Sequence, residues 1–218
     1  MSNLDVLLPY QKKWVADEAN VKICEKSRRI GLTWAEAADC VLSAAASDGM
    51  DIFYVGYNKD LAQEFVETCG SFAKGFNYVV GEIEEDETIF KDEENKSILA
   101  YIIRFASGHK IVALSSRPSN LRGRQGRVVI DEAAFHDDLD QLLKAAMAFL
   151  MWGGKVVIIS THDGVDNVFN EKIKETLSGK TGWSHHKITL QDALKDGLYK
   201  RICERTKQEY TKEAEEAW

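Results

Sequence analysis

The chain carries the stretch KSRRIGLT at residues 26–33, and this stretch decides the fold class. It stands between a short apolar run at 21–26 (VKICEK) and a segment with helical periodicity at 32–47. A phosphate loop needs backbone N–H groups at a helix N-terminus, a cation for the outer phosphates and a hydroxyl for Mg²⁺. Gly31 and Thr33 stand where the usual pattern GxxxxGK[ST] has its last glycine and its hydroxyl. The stretch therefore predicts a phosphate loop at a strand-to-helix junction.

The cation of this loop is in an unusual place. Leu32 occupies the position of the usual lysine, and a leucine cannot neutralise phosphate. Lys26 opens the loop, and its flexible ammonium could reach across to the phosphates. Arg28 or Arg29 could stabilise charge that develops during hydrolysis. The alternative is an ordinary strand-to-helix turn with two surface arginines.

Two acids follow a second apolar run, in VVIDE at 128–132. A strand that ends in this way puts Asp131 at the edge of the sheet, where a carboxylate can hold Mg²⁺ together with Thr33. Glu132 then lies where a carboxylate can polarise the attacking water. The alternative is a strand followed by an acidic turn, and the phosphate loop that precedes the pair in the chain favours the catalytic interpretation.

A third apolar run, KVVIIS at 155–160, leads directly into Thr161 and His162. A polar residue at the tip of a strand beside the acidic one can sense the γ-phosphate and couple hydrolysis to motion. We therefore expect Thr161 to belong to the nucleotide site. The alternative is that Ser160 and Thr161 only begin a turn.

Short apolar runs alternate with amphipathic segments along the chain, which predicts an α/β fold with a mainly parallel central sheet flanked by helices. The predicted strands are 21–26, 51–57, 110–114, 127–131 and 155–160. The segments with helical period are 32–47, 59–73 and 137–150. We expect one domain over 1–190, with a β-rich insertion at 76–105. Residues 191–218 are highly charged and predict a helical cap or linker.

The net charge of −7 comes from one segment. Residues 82–94 hold eight acids and one lysine, and we interpret them as a solvated loop or hairpin. The rest of the chain is neutral overall, and residues 115–127 hold four arginines and no acid. The charge therefore does not exclude nucleic acid as a partner.

Composition excludes several other classes of protein. The hydrophobic content of 44% and the charged content of 29% are those of a globular protein. Neither a membrane-spanning run of ~20 apolar residues nor a secretory N-terminus is present, so we expect an intracellular protein without a membrane partner. The cysteines lack the CxxC spacing of a zinc site; they are Cys24, Cys40, Cys69 and Cys203. We expect no metal other than Mg²⁺, and we interpret His162, His185 and His186 as structural or exposed.

Taken in chain order, these motifs resemble those of the large terminase subunits of tailed bacteriophages and prophages. LPYQ at 8–11 is similar to the family's adenine-binding segment, and KSRRIGLT is similar to its phosphate loop with the lysine in first position. VVIDEAAF at 128–135 resembles the acidic strand with its catalytic glutamate, and IISTHDG at 158–164 resembles the coupling motif. SNLRG at 119–123 resembles the Arg-Gly segment that precedes the acidic strand.

The resemblance implies a phosphate-loop NTPase core of the additional-strand, conserved-glutamate type that uses ATP and Mg²⁺. The implied metal ligands are Thr33 and Asp131, and the implied catalytic residues are Glu132, Arg29 and Arg122. The implied nucleotide-binding residues are Tyr10, Gln11, Lys26, Ser27, Arg28, Arg29, Ile30, Gly31, Leu32, Thr33, Asp131 and Thr161. Arg29 matches the lysine-first form of the family's loop, and Arg28 matches the other form. Arg122 and Arg124 stay open between a finger for a neighbouring subunit and contacts to the DNA backbone.

The resemblance also implies ATP hydrolysis that drives double-stranded DNA into a procapsid. Its expected partners are DNA, a portal protein, a small terminase subunit and further copies of the chain in a ring of five, with a monomer in isolation. The expected location is the cytoplasm of an infected bacterium and, transiently, the procapsid portal. Family members usually continue into an RNase-H-like nuclease. No acidic triad on strands follows Thr161, so we expect no nuclease activity in these residues and interpret 191–218 as the connection to such a domain.

Two other functions stay open from the sequence. A helicase-like DNA-dependent ATPase would need a second ATPase lobe with an arginine finger. A nucleotide-binding module with a decayed loop would explain Leu32 in the lysine position. A measurement of Mg-ATP binding and turnover separates the decayed module from the two ATPases.

Overall fold

The structure is a computed structural model that describes residues 6–80, 84–91 and 97–218. The strands in these ranges are β1 (Val21–Lys26), β2 (Ile52–Gly56), β3 (Glu84–Lys91), β4 (Ser97–Arg104), β5 (Lys110–Ser115), β6 (Arg127–Asp131), β7 (Lys155–Ser160) and β8 (Ser184–Ile188). The helices are α1 (Pro9–Val15), α2 (Leu32–Ala45), α3 (Lys59–Val80), α4 (Leu139–Met147), α5 (Val168–Leu177), α6 (Leu190–Lys195), α7 (Leu198–Thr206) and α8 (Lys212–Ala217). Short 3-10 turns lie at Pro118–Leu121, Ala133–Phe135 and Ala148–Trp152. No helix within the described ranges is both long and apolar enough to cross a membrane.

The strands form one sheet in the order β3-β4-β5-β2-β6-β7-β1-β8. The strands from β5 to β8 in this order pair in parallel, and β3 and β4 form an antiparallel hairpin at one edge. One strand, β7, lies between β1 and β6. The phosphate-loop strand and the acidic strand are therefore separated by an additional strand, which confirms the predicted fold class.

The two faces of the sheet are covered by different helices. Side chains of alternate strand residues such as Cys24 and Tyr54 share a core with α1, α2 and α3. Their neighbours Ile23 and Phe53 share a second core with α4 and α5. Because both faces are buried, the central strands β2, β6 and β7 are apolar at their middle positions, which is the pattern that the sequence showed.

The predicted elements agree with the structure except at their ends. The strands predicted at 21–26, 127–131 and 155–160 have those bounds. The helix predicted at 59–73 continues to Val80, so the β-rich stretch begins after that residue. Residues 84–91 of the acidic run form strand β3 of the β3-β4 hairpin. The other residues of the run and all of its side chains lie outside the described part.

The charged C-terminal segment packs on the core. Ala193 of α6 and Leu198 of α7 are buried in the same cluster as residues of α1 and α2. The N-cap Thr189 of α6 accepts a hydrogen bond from the backbone of Asp192 at 3.2 Å, as expected for a capping box. A domain boundary at residue 190 stays a prediction, but helices α6 and α7, which follow it, lie against the sheet-forming part of the chain.

A buried charge network ties α2 to its neighbours. Glu36 of α2 is fully buried, and its Oε1 atom accepts a hydrogen bond from Arg127 at 2.6 Å. Its Oε2 atom accepts the indole N–H of Trp14 at 2.8 Å and lies 3.9 Å from the ammonium of Lys22. Arg127 also donates to Asp39 at 2.6 Å. Burial raises the pKa of Glu36, but Arg127 and Lys22 more than offset this and leave it below its usual value. The carboxylate is therefore charged.

Replacing Glu36 with glutamine is expected to lower the free energy of unfolding by about 3 kcal/mol, because Arg127 keeps its buried charge with one anion fewer. Urea unfolding followed by tryptophan fluorescence measures this. The control is Asp140→Asn, which breaks an exposed ion pair with Lys144 on α4 and is expected to change stability little. Equal unfolding midpoints for Glu36→Gln and the wild type would contradict the prediction.

Candidate active site

The loop at residues 27–31 joins β1 to α2 in a tight turn. The backbone N–H of Ser27 donates to the Ile188 carbonyl of β8 at 2.9 Å. Arg29 and Gly31 both have positive φ angles, 57° and 71°. Gly31 is the N-cap of α2, and a Cβ there would lie 3.1 Å from the Nε2 atom of Gln11. A side chain at Gly31 would thus meet both backbone strain and crowding, so the loop requires glycine at this position.

Helix α1 supports the loop. The hydroxyl of Tyr10 donates to the carbonyl of Ile30, and Gln11 Nε2 donates to the carbonyl of Gly31 at 2.8 Å. Gln11 Oε1 accepts the backbone N–H of Leu8 at 2.8 Å. Burial raises the pKa of Tyr10, so its hydroxyl remains a donor. Both predicted adenine-binding side chains therefore hold the loop in shape.

Four predicted residues meet where β1 and β6 end and α2 begins. The ammonium of Lys26 lies 2.8 Å from Oε1 of Glu132. The hydroxyl of Thr33 donates to Oδ2 of Asp131 at 2.9 Å. The loop that opens α2 and the acidic pair thus contact each other directly, through one ion pair and one hydrogen bond.

The Glu132 turn is held by the tip of β7. Glu132 has a φ of 49°, which is uncommon for a residue other than glycine. Its Oε2 atom accepts the backbone N–H and the hydroxyl of Thr161 at 3.3 and 3.2 Å. Ser160 Oγ accepts the backbone N–H of Ala134 at 3.0 Å. The strand predicted to sense the γ-phosphate therefore contacts the carboxylate predicted to activate water.

Asp131 is buried, and its environment includes two residues that the sequence analysis missed. The hydroxyl of Tyr54 donates to Oδ2 of Asp131 at 2.9 Å, and Nε2 of His136 lies 2.9 Å from its backbone oxygen. Burial raises the pKa of Asp131 and the charge of Glu132 adds to this, whereas Lys26 opposes it. Tyr54 was hidden in an apolar strand, and no local signal separates it from an ordinary core tyrosine.

The oxygen atoms of Thr33 and Asp131 are suitable ligands for Mg²⁺. The Thr33 hydroxyl gives its hydrogen to Asp131 and keeps its oxygen lone pairs for a cation. Asp131 contributes carboxylate oxygens, and hard oxygen ligands are those that Mg²⁺ prefers. The predicted metal ligands Thr33 and Asp131 therefore fit this ion.

Two cavities flank the loop. One, of about 600 Å³, has a largely apolar lining that includes Gln11, Trp34 and Leu198. The other, of about 370 Å³, opens at Glu132 and Thr161. Arg29 lines both cavities. The sequence analysis did not predict that Trp34 and residues of α7 line the first cavity. The cavity forms where α7 packs near the loop, and this packing leaves no local pattern in the sequence.

The loop residues differ in what they can offer a ligand. Arg28 and Arg29 are exposed, and within the described part of the chain neither makes an ion pair. The side chain of Leu32 is buried at 1% exposure, so only its backbone can face a phosphate. Tyr10 lines a separate groove with Lys13 and His186.

The predicted arginine Arg122 lies elsewhere. Together with Arg124 it lines a cavity of about 420 Å³ beside Lys144 of α4. This is the face of the sheet opposite to α2, since the neighbouring Leu121 packs in the second core. The structure therefore does not bring Arg122 to the cluster around Lys26 in the same chain.

A separate polar cluster surrounds Glu25, the residue before Lys26. Its Oε2 atom lies 2.8 Å from Nε2 of His162, and its Oε1 atom lies 3.0 Å from Nε2 of His185. Lys187 Nζ lies 3.4 Å from Oε2. His162 thus connects the chain after β7 to β1, and His185 connects strand β8 to β1. Both contacts are of the structural kind that the sequence analysis proposed for these histidines.

An NTPase core with an additional strand, a phosphate loop and an acidic pair is the class that this fold and site define. Residues 23–217 match the family model described as terminase large subunit, T4likevirus-type, N-terminal. The chain therefore belongs to the terminase large subunit family.

Similar proteins agree with this membership. The chain is 56% identical over 98% of its length to the Mu-like prophage FluMu protein gp28 of Haemophilus influenzae, covering 42% of that protein. It is 52% identical over 99% of its length to the probable terminase large subunit gp28 of Escherichia phage Mu, covering 40% of it. The chain thus spans about two fifths of these relatives. The large terminase of a thermophilic bacteriophage, in complex with ATP-gamma-S, has the same fold, with a TM-score of 0.65, 17% identity and coverage of 94% of this chain and 49% of that one.

Acid is expected to remove the stabilising effect of Glu25. Burial raises the pKa of Glu25, but hydrogen bonds and charge from His162, Lys187 and His185 hold it below its usual 4.5. Because the unfolded chain takes up the proton first, the stabilisation is present above that value and is lost as the pH falls through the folded pKa. Urea unfolding of wild type and Glu25→Gln should differ more at about pH 6 than at about pH 3. The exposed Glu64→Gln is the control, and a Glu25 difference independent of pH would contradict this.

Proposed function

We propose that this chain is the ATP-hydrolysing motor domain of a viral DNA-packaging enzyme. The observation that carries the proposal is the contact of Lys26 and Thr33 with Glu132 and Asp131 at one edge of a sheet with an additional strand. Membership of the terminase large subunit family supports it. So does the large terminase of the thermophilic bacteriophage, a protein of the same fold whose structure contains ATP-gamma-S.

The roles follow from the charges in the cluster. Lys26 binds the outer phosphates, and the backbone N–H groups of Ile30, Gly31 and Leu32 lie in the loop at the N-terminus of α2, where an anion is favoured. The N–H of Ser27 donates to the Ile188 carbonyl, so we assign Ser27 to support of the loop. Thr33 and Asp131 hold Mg²⁺. Bound there, Mg²⁺ neutralises charge on the phosphate oxygens.

Glu132 orients the attacking water and accepts its proton. In the structure its Oε1 atom is paired with Lys26, so phosphate must replace Glu132 as the partner of the ammonium. The N–H and the hydroxyl of Thr161 keep their hydrogen bonds to Oε2 of Glu132. A movement of the Glu132 side chain therefore also moves Thr161 at the tip of β7. This is the coupling role proposed for Thr161.

The apolar cavity beside the loop fits the base of ATP. Gln11 uses one hydrogen of its amide on Gly31, which leaves the second for the edge of adenine. The hydroxyl of Tyr10 is used by Ile30, so we assign Tyr10 to support of the loop. Arg29, which lines both cavities, is our candidate for the arginine that stabilises charge in cis, and Arg28 lines the cavity at Glu132.

Arg122 is our candidate for a finger in trans, because it lies away from the cluster of its own chain. We propose a ring of five copies at a procapsid portal, with double-stranded DNA, the portal protein and a small terminase subunit as partners, in the cytoplasm of an infected bacterium. Contacts of Arg122 or Arg124 with the DNA backbone are the alternative. Residues 1–190 form the motor domain, and 191–218 cap it and lead toward a nuclease domain.

Loss of Lys26 and loss of Glu132 are expected to act at different steps. Lys26→Ala should weaken binding of Mg-ATP, because it removes the cation of the loop. Glu132→Gln should bind Mg-ATP with nearly unchanged affinity and hydrolyse it about 10²–10⁴ times more slowly, since it removes the base. Isothermal titration calorimetry and single-turnover phosphate release measure the two effects.

The same measurements separate a decayed nucleotide-binding module from an ATPase. A wild type that binds no nucleotide at millimolar concentration would indicate the decayed module. Turnover by both variants at the wild-type rate would contradict the assigned roles. The control is Glu64→Gln, an exposed glutamate on α3, which should match the wild type in both measurements.

Mixing two inactive variants tests the finger in trans. Arg122→Ala has an intact Glu132 and lacks the finger, and Glu132→Gln has the finger and lacks the base. If Arg122 enters a neighbour's site, the mixture should hydrolyse ATP faster than the sum of the separate proteins under assembling conditions. A mixture no faster than that sum, with each protein shown to assemble, would contradict the role. Arg117→Ala serves as the matched control.

A further inference from the structure

Tyr54 carries a polar group that the roles proposed above leave unassigned. Its side chain is fully buried in β2, and its ring stacks on that of Phe65 with centroids 3.8 Å apart and planes at 10°. Its hydroxyl donates to Oδ2 of Asp131 at 2.9 Å. A buried phenol needs a hydrogen-bond partner, and here that partner is the carboxylate proposed to hold Mg²⁺.

The hydrogen bonds of Asp131 fix its carboxylate on both oxygen atoms. Oδ1 accepts the backbone N–H of Glu132 at 2.9 Å. Oδ2 accepts the hydroxyls of Thr33 and Tyr54, each at 2.9 Å. Thr33 is itself a proposed metal ligand, so its hydrogen bond to Asp131 already belongs to the proposed site. Apart from Thr33, the groups that orient the carboxylate are the Tyr54 hydroxyl and the Glu132 amide.

We propose that Tyr54 is a positioning residue for the divalent cation, holding the Asp131 carboxylate in the orientation that meets a cation bound by Thr33. The inference rests on the proposed function and extends it to a residue outside the phosphate loop and the acidic pair. Groups that orient metal ligands typically change metal affinity by about 10–100-fold when they are removed. The stack on Phe65 holds the Tyr54 ring and thereby helps to direct its hydroxyl at Asp131.

A purely structural role makes a different prediction. If the hydroxyl only satisfied a buried polar group, its loss would lower stability and leave the Mg²⁺ dependence of nucleotide binding unchanged. Phenylalanine at this position keeps the stack and the burial and removes only the donor. Tyr54→Phe therefore isolates the contact with Asp131.

The experiment measures the affinity of the protein for a fluorescent ADP analogue over a series of Mg²⁺ concentrations and in EDTA. Tyr54→Phe is expected to leave the affinity in EDTA unchanged and to raise the Mg²⁺ concentration at half-maximal effect about 10-fold. The matched control is Tyr101→Phe, which removes a hydroxyl that donates to Gln63 at 3.2 Å on the surface and should behave as the wild type. In an Asp131→Asn background, Tyr54→Phe should add no further change, because the shared carboxylate is gone.

A second variant covers the case in which Tyr54→Phe fails to fold. Phe65→Leu keeps the hydroxyl and removes the stack, and it should shift the Mg²⁺ requirement in the same direction by a smaller factor. An unchanged Mg²⁺ requirement in the folded variant, or an equal loss of affinity in Mg²⁺ and in EDTA, overturns the inference. A wild type that binds no nucleotide overturns the proposed function and this inference with it. Mg²⁺-dependent binding by the wild type with no effect of Tyr54→Phe overturns the inference alone.

Discussion

The parallel pairing of β1, β7 and β6 in one register is the constraint on which the site depends. Glu25 lies opposite Ser160, and Ile159 lies opposite Asp131. Lys26 at the end of β1 therefore lies at the same edge of the sheet as Thr161 and Glu132, which follow β7 and β6, and the three residues meet. Because side chains alternate along a strand, a slip of one residue in β6 would turn Asp131 to the other face of the sheet and away from α2.

The buried charges under α2 reinforce this register. Arg127 begins β6 and Asp131 ends it, whereas Thr33 and Glu36 lie one turn apart in α2. The helix and the strand are thus joined twice, through Thr33 and Asp131 at the site and through Glu36 and Arg127 below it. Two contacts of this kind fix both the position and the direction of the helix. The backbone N–H groups at the N-terminus of α2 therefore point toward the space where phosphate is proposed to bind.

The loop lies between two cavities, and its unusual residues divide into one that is buried beneath it and others that supply positive charge. Leu32 replaces the usual lysine and is buried, so it adds to the packing beneath the loop. The positive charge comes from Lys26 at the strand end and from the exposed Arg28 and Arg29. Since Arg29 lines both cavities, a ligand that occupies both of them would lie next to the Arg29 side chain in each cavity.

The sequence by itself determined the strands and helices that it predicted, the loop, the acidic pair and the apolar runs that bury both faces of the sheet, because these depend on residues adjacent in the chain. It did not predict α1, α5 or β8. It did not foresee that Glu36 is buried in α2. Only the tertiary structure decided where four features lie relative to the site: Tyr54, Trp34, α7 and Arg122. Each depends on partners tens of residues away, such as the pairing of Glu36 with Arg127 and of Tyr54 with Asp131. Burial of a polar side chain is favourable only when such a partner is in place, and no local pattern contains that information.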